Sequence, residues 1–184
     1  MTKAAGLAPI QIERIQEWQL TAADDRAIAA LLARCFPTDF GGRSYFVQPH
    51  HMRLVVRHDG QIIGHMALLL RAVDLDGRRL IIGGLGDVAT DPAHRGKGIA
   101  AALLHEAIAM ARSSPAIFLL LFGVAKIYAS AGCQAHANPL VHLVWDNGQT
   151  RQVMSQGSED LMVLPLRDEP WLAHAFLDLR GALF

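Results

Sequence analysis

At 184 residues the chain suits a single domain with a substantial core, and its apolar share of 52% with a charged share of 18% marks an ordinary globular protein on the hydrophobic side. Lys+Arg and Asp+Glu each number 17, so there is no basic footprint for a nucleic acid. The strongest apolar run, Ala116–Phe122, is far too short to cross a bilayer, so no membrane partner is expected.

Residues 1–9 lack the apolar centre of a signal peptide and read as a flexible tail ahead of one domain, 10–184, with a cytoplasmic location. Cys35 and Cys133 lie far apart without CxxC or zinc spacing, the pattern of two reduced thiols. Ile10–Leu20 alternates as a first strand. Thr21 is a candidate N-cap for a helix over Ala22–Cys35, with Ala27, Leu31, Leu32 and Cys35 on one face, and Pro37 ends it. Residues 36–50 carry Phe36, Phe40, Tyr45 and Phe46 among glycines and polar groups, as a connection or a short helix. Met52–Arg57, Gln61–Val73 and Arg79–Thr90 then follow as strands joined at Asp59-Gly60 and Asp76-Gly77, both primed-turn signals, which gives an antiparallel meander. Gly83, Gly84 and Gly86 crowd its third strand, marking a bulge or the close approach of another group.

A helix over Gly98–Arg112 buries Ile99, Ala102, Leu103, Ala107 and Met110, and Ala116–Phe122 is apolar on both faces, as in a central parallel strand. A short helix through Tyr128 to Ala131 is closed by Gly132. Val141–Trp145 and a strand from near Gln149 flank the turn Asn147-Gly148. Ser155–Glu159 is a polar loop, Leu161–Leu166 a last strand, and Pro170 and Gly181 bracket a final helix over Trp171–Arg180. The fold class is therefore α+β (mixed α/β): an antiparallel N-terminal meander and a parallel centre, flanked by helices.

The most informative stretch runs from Asp87 to Ala100, a strand passing through Arg95-Gly96-Lys97-Gly98-Ile99-Ala100 into a helix. Such a junction aims backbone N–H groups and a helix N-terminus at one small volume, a ready site for phosphate. Three readings compete. The glycines serve only tight packing; or Gly96-x-Gly98-x-x-Ala101 is a dinucleotide fingerprint; or the turn holds the pyrophosphate of an acyl carrier. The second wants an acidic residue closing the next strand, but that strand ends in Phe122-Gly123, and the upstream meander is antiparallel. A nucleotide P-loop is absent, because no Gly-Lys-Ser/Thr occurs.

Two blocks, Val88–Leu104 with its Arg95-x-x-Gly98-x-Ala100 and Ala125–Cys133 with Tyr128 and Gly132, resemble the GNAT acetyltransferases, and the resemblance runs from about Thr21 to Leu166. Within that superfamily Phe36–Phe40, His58–His65, Ile127–Gly132 and Glu159–Leu166 look most like the aminoglycoside 2′-N-acetyltransferases and also resemble the nodulation-factor N-acyltransferase, without naming a substrate. The resemblance implies a central mixed sheet splayed at a bulge and acetyl-CoA as co-substrate. The amides of Val88, Ala89 and Thr90 would pair with the pantetheine arm, and those of Arg95, Gly96, Lys97, Gly98, Ile99 and Ala100 would hold the pyrophosphate. The Arg95 and Lys97 side chains either face the phosphates or are solvated.

By the same resemblance Tyr128 would protonate the departing thiolate; otherwise it is a packed helix tyrosine. Attack by a small-molecule amine, an amino sugar among the candidates, needs a base, because an alkyl amine with a pKa near ~10 is mostly protonated at neutral pH. Relatives often place a glutamate where this chain has Gly86. Asp87 comes one residue later, which in a regular strand is the opposite face, and a bulge would restore it. Asp87 is thus the candidate base or a structural carboxylate, with Glu159, Asp160, His65 or water as alternatives. Asp39, Glu159 and Asp160 would attract a cationic acceptor, and Phe40 with its aromatic neighbours would wall the acceptor pocket or fill core. Nine histidines include no HExxH; adjacent His50 and His51 would point apart on a strand, and His136 and His142 share strand parity but lack a carboxylate or thiol partner, which argues against a metal site. The donor is acetyl-CoA or, alternatively, a longer acyl chain on CoA or acyl carrier protein; a non-catalytic acyl-CoA-binding domain is the other alternative. The segment Trp171–Arg180 covers the core or joins a homodimer.

Overall fold

The computed structural model describes residues 10–36, 40–124, 126–146, 149–157 and 160–184. The expected tail 1–9, the helix stop at Pro37, Asp39, the Asn147-Gly148 turn and Glu159 lie outside the described residues. Chain order is β1 (Ile12–Gln16), α1 (Ala22–Cys35), β2 (Met52–His58), β3 (Gln61–Leu75), β4 (Arg78–Thr90), α2 (Ile99–Ser113), β5 (Phe118–Phe122) and α3 (Lys126–Ser130). After these come β6 (Gln134–Ala135), β7 (Pro139–Asp146), β8 (Gln149–Gly157), β9 (Leu161–Pro165) and β10 (Leu177–Ala182).

The helices form where capping and pattern agree. The Thr21 side chain accepts from the Asp24 amide, Asp24 and Asp25 sit in the first turn, and Ile28, Leu31 and Leu32 are fully buried. β1 is shorter than the pattern Ile10–Leu20 suggests. Glu17–Gln19 turn as a 3-10 segment, held by the bond from the Glu17 amide to the His51 carbonyl and by the Glu17 carboxylate on Arg53.

The meander forms as read, with Asp59-Gly60 and Asp76-Gly77 both in the left-handed region at its turns. The sheet runs β6-β9-β5-β4-β3 and then divides. The first half of β3 pairs with β2, which in turn pairs with β1, and its far end pairs with β10, which continues to β7 and β8. Only β4–β5 and β10–β7 are parallel among the described pairs.

The expected helix over Trp171–Arg180 is not formed. The Trp171 indole N–H donates to Asn138 and its ring stacks edge-on against Phe118, while the Asn138 amide takes the carbonyls of Leu172 and Ala175. Those carbonyls are thereby withdrawn from a helical ladder. Leu177 and Leu179, both fully buried, then follow a period of two, and the segment enters the sheet as β10. The polar run Ser155–Gly157 likewise extends the exposed edge strand β8 rather than forming a loop.

Alternation sends Leu54, Val56, Leu119 and Leu121 to one face, where α2 packs with Leu103, Leu104 and Ala107. Val55 and Ala89 face α1 on the other side. Gly64 allows the α2 contact: a Cβ there would sit 2.5 Å from Ile99 Cγ2. Farther along, Ile82, Phe118, Leu120, Leu177 and Leu179 make a third cluster. No helix among the described residues is long and apolar enough to cross a membrane.

Candidate active site

β4 pairs with β5 only from Ile82↔Phe118 to Leu85↔Leu121. Beyond that point β4 continues to Thr90 while Phe122 pairs away with Leu161 of β9, so a wedge opens between the two strands. At its start β4 bulges. The β3–β4 register passes from Ala67↔Gly86 to His65↔Ala89, placing two residues of β4 against one of β3, and Asp87 adopts φ +50°. The bulge re-aims the Asp87 side chain into a cavity of about 860 Å³, which Val88 and Tyr128 also line.

His65, fully buried on β3, fixes the bulge from beneath: its Nδ1–H donates to the Asp87 carbonyl at 2.7 Å. Because a carbonyl only accepts, this bond sets the tautomer and leaves Nε2 unprotonated. Burial and then the Arg53 charge hold the His65 pKa down at about 3, against the pull of that bond. His65 is thus a brace in the core rather than a group open to a substrate.

Asp87 sits among charges that oppose one another. Burial pushes its carboxyl up to about 6, opposed by Arg53 and by the Phe46 backbone N–H that bonds it, while Glu17 adds a smaller push upward. The Arg53 guanidinium, fully buried, lies 3.9 Å from Asp87 Oδ2 but spends its hydrogen bonds on Glu17 and the Ser44 carbonyl. Asp87 Oδ2 has no hydrogen-bond partner among the described residues.

Beside it stands a residue that sequence reasoning missed. His50 is 6% exposed, its Nδ1 is 3.7 Å from Asp87 Oδ2, and neither ring nitrogen has a hydrogen-bond partner among the described residues. The sequence offered His50 only as half of an adjacent pair weighed for metal binding. The signal lay in Gly86: a Cβ there would meet His50 Nε2 at 2.7 Å and the Phe184 backbone at 2.9 Å, and one at Gly84 would meet the Phe184 ring at 2.8 Å. The crowded glycines of β4 therefore mark both a bulge and a close approach.

The turn after β4 is braced at its entry. Arg34 donates to the Asp91 carboxylate, which also accepts from the Ala93 amide, and Arg95 Nε donates to the Thr90 carbonyl at 3.3 Å. Gly96 and Gly98 have φ of +74° and +80°, with open space where a Cβ would stand. Gly98 is the N-cap of α2, no side chain caps this 15-residue helix, and the turn Arg95–Gly98 ahead of it is exposed. Lys97 is exposed and Ile99 is core, under Gly64.

Tyr128 rests on α3, 7% exposed, with burial and then Cys133 raising its pKa, so the phenol stays protonated at neutral pH. Gly132, at φ +92°, closes that helix. Phe40 is buried between Phe36 and Phe46 and lines the same cavity. Asp160 is not brought there: it is exposed, and its carbonyl receives the Gly123 amide. Asp87 is the one acid lining the cavity among the described residues. No group of three or more His, Cys, Asp or Glu with metal-holding geometry occurs among them.

The family model "Acetyltransferase (GNAT) domain" matches residues 18–135 of the chain. The chain belongs to the GNAT acetyltransferases. The matched stretch contains β4, the glycine turn, α2 and β5. Among solved structures, the chain is similar to the GNAT family N-acetyltransferase YhbS of Escherichia coli in complex with CoA. That match has 20% identity and a TM-score of 0.64, covering 94% of this chain and 91% of that one. A GNAT family acetyltransferase of Brucella melitensis in complex with acetyl-CoA is similar at 20% identity and a TM-score of 0.60, covering 91% of this chain and 94% of that one. These likenesses extend the mixed sheet and its flanking helices over nearly the whole GNAT chain. No curated protein matches it, and the family model reaches the GNAT domain as a whole.

Proposed function

We propose that this GNAT enzyme transfers the acetyl group of acetyl-CoA to a primary amine of a small molecule, by direct attack in a ternary complex. The observation that carries the reading is the parting of β4 from β5 past Leu85 and Leu121, beside a cavity holding Asp87 and Tyr128. The turn fits the diphosphate of a CoA: two glycines in the left-handed region leave open space, and the helix behind them lacks a side-chain cap. In this reading the amides of Arg95, Gly96, Lys97, Gly98, Ile99 and Ala100 hold the pyrophosphate. The backbone of Val88, Ala89 and Thr90 faces the pantetheine arm, since the Ala89 side chain itself is committed to the α1 core. Arg95 braces the turn through Thr90, and Lys97 supplies exposed positive charge.

Acetyl-CoA supplies an activated thioester whose carbonyl the amine attacks. The chain's part is to hold the two substrates together, to accept the amine proton at the Asp87 end of the cavity, and to donate the Tyr128 phenol proton to the leaving sulfur. Two groups whose surroundings keep one ionised and the other protonated at neutral pH suit those opposite tasks.

The acceptor follows from the walls. Phe40, Phe46, Phe122, Trp145 and Phe184 face a space where Asp87 is the one described acid, and half-buried Arg71 adds positive charge. That lining favours a compact apolar or aromatic amine over a polycationic amino sugar. The volume and apolar walls also favour, as a second reading, an acyl chain longer than acetyl. Every group in the reading comes from one chain, so a homodimer would serve stability rather than complete the site. Cys35 and Cys133 are both free, which suits the reducing cytoplasm.

Thiol release from acetyl-CoA, followed across aryl-alkyl amines, amino sugars and amino acids, tests the proposal. The reading expects turnover highest with apolar amines. Thiol release that no amine accelerates would overturn it, and faster turnover with octanoyl-CoA would move the donor to the longer chain.

A further inference from the structure

We propose that His50 is a catalytic residue of this site, its Nε2 taking the proton of the attacking amine and its Nδ1 passing one on to Asp87. The inference rests on the acetyltransfer reading and assigns the base within it.

Three observations meet at this imidazole. It is buried, yet both nitrogens lack hydrogen-bond partners among the described residues, which is costly unless a function keeps it so. Its Nδ1 faces Asp87 Oδ2 at 3.7 Å, and that oxygen also lacks a partner. Catalytic hydrogen bonds of this order tighten when substrate binds. Its Nε2 lies in the space a side chain at position 86 would take, next to the bulge, and both His50 and Gly86 line the cavity. The same cavity holds Tyr128. The arrangement sets an imidazole between a carboxylate and the space where the nucleophile must stand.

The charges around the pair fix its resting form. His50 is flanked by Arg53, His65, Arg71 and His51, and burial with these neighbours keeps it neutral with a pKa of about 3. Asp87 is flanked by Arg53, the Phe46 N–H and Glu17, and ionises above about pH 6. At neutral pH the pair is therefore neutral imidazole beside carboxylate. With Nδ1–H turned toward Asp87, the Nε2 lone pair is left free beside Gly86 in the cavity wall. The carboxylate is the stronger base of the two, but its oxygen sits deep in the bulge, and His50 is the conductor to it.

The step balances as follows. The amine nitrogen lone pair forms the C–N bond, and the C–S bond breaks with its electron pair to sulfur. One nitrogen proton goes to His50 Nε2 as the Nδ1 proton goes to Asp87 Oδ2. The Tyr128 proton goes to sulfur. Asp87 then returns its proton to His50 Nδ1 as Nε2 gives its own to water, and Tyr128 regains one from water, so the starting tautomer is restored and the free thiol and the amide are the net products.

Two readouts test this on the full chain. Long-range 1H–15N spectra of the wild type, with His50 assigned by comparison with His50→Gln, should show Nδ1 protonated and Nε2 bare at pH 7.5, and Asp87→Asn should shift both signals. With acetyl-CoA and 2-phenylethylamine as probe, His50→Gln should lower kcat about 10²- to 10⁴-fold, the usual share of a general base. Acetyl-CoA affinity by calorimetry should stay within about twofold, as expected of a residue outside the carrier's grip, and added imidazole should partly rescue His50→Gly. A proton on Nε2, signals indifferent to Asp87→Asn, or a His50→Gln enzyme with wild-type kcat would each overturn the relay. If the wild type binds no acetyl-CoA, the acetyltransfer reading falls and takes the relay with it; if it binds and turns over while His50→Gln does the same, the relay alone falls.

Discussion

Acidification from pH 7 to pH 5 should weaken the fold through the two histidines packed around the bulge. His50 and His65 are held neutral in the native state, with pKa values near 3, whereas in the unfolded chain each titrates near 6.5. Their folded values are depressed, so at pH 5 the unfolded state binds protons that the native state refuses, and stability falls as pH drops below 6.5. The difference is about 2 kcal/mol for each group over this interval. Asp87 acts in the opposite sense. Its folded pKa is raised to about 6 from 3.8, so the native state takes up its proton first and recovers about 1 kcal/mol. The three together should cost roughly 2 to 3 kcal/mol. Urea titrations followed by circular dichroism at both pH values read this directly, provided the slope with urea is unchanged. His65→Asn keeps a donor near the Asp87 carbonyl and removes one titrating group, so its loss on acidification should shrink by about 2 kcal/mol. A wild type as stable at pH 5 as at pH 7, or a His65→Asn variant with the full loss, would show that these rings are not held neutral in the core.

Further outcomes follow from the site. Tyr128→Phe should lower kcat by about 10²- to 10⁴-fold while leaving the acetyl-CoA dissociation constant unchanged; a normal rate in stopped-time thiol assays removes Tyr128 from the chemistry. Asp87→Asn should abolish the acidic limb of the kcat/KM profile, whose midpoint in the wild type should lie near pH 6, the value burial gives that carboxyl. Gly98→Val places a branched side chain at φ +80°, where the left-handed region disfavours it, and should weaken acetyl-CoA about tenfold or more by calorimetry. Gly64→Ala puts a Cβ 2.5 Å from Ile99 Cγ2 and should cost about 1–3 kcal/mol of stability while loosening the first turn of α2; unchanged urea midpoints would contradict that contact.

What the sequence made legible was local. Thr21 with its capping geometry, the two Asp-Gly turns and the Gly98 N-cap place α1, the meander and α2 within a residue or two of where they form. The bulge at Asp87 was also readable, because a carboxylate one step out of phase beside three glycines asks for one. The C-terminal segment was not. Pro170 and Gly181 look like helix brackets, but the period-two burial of Leu177 and Leu179 is rewarded only by pairing with β3 and β7, and β3 lies roughly a hundred residues away along the chain. His50 escaped for the same reason: its partners Gly86 and Asp87 are on another strand, and nothing in residues 48–52 announces them. Asp160, which local chemistry offered as an acceptor contact, turns outward because its main chain is taken by Gly123.

The central claim is that the α2 turn and the unpaired end of β4 receive a CoA thioester. Amide shifts of the labelled chain, recorded as acetyl-CoA is added, test it most directly. The expected result is a saturable change at one equivalent, largest at Arg95–Ala100 and Val88–Thr90 and reaching Tyr128. Amides at those positions that stay unmoved while excess acetyl-CoA is present, or a saturable change confined to another face of the sheet, would contradict it.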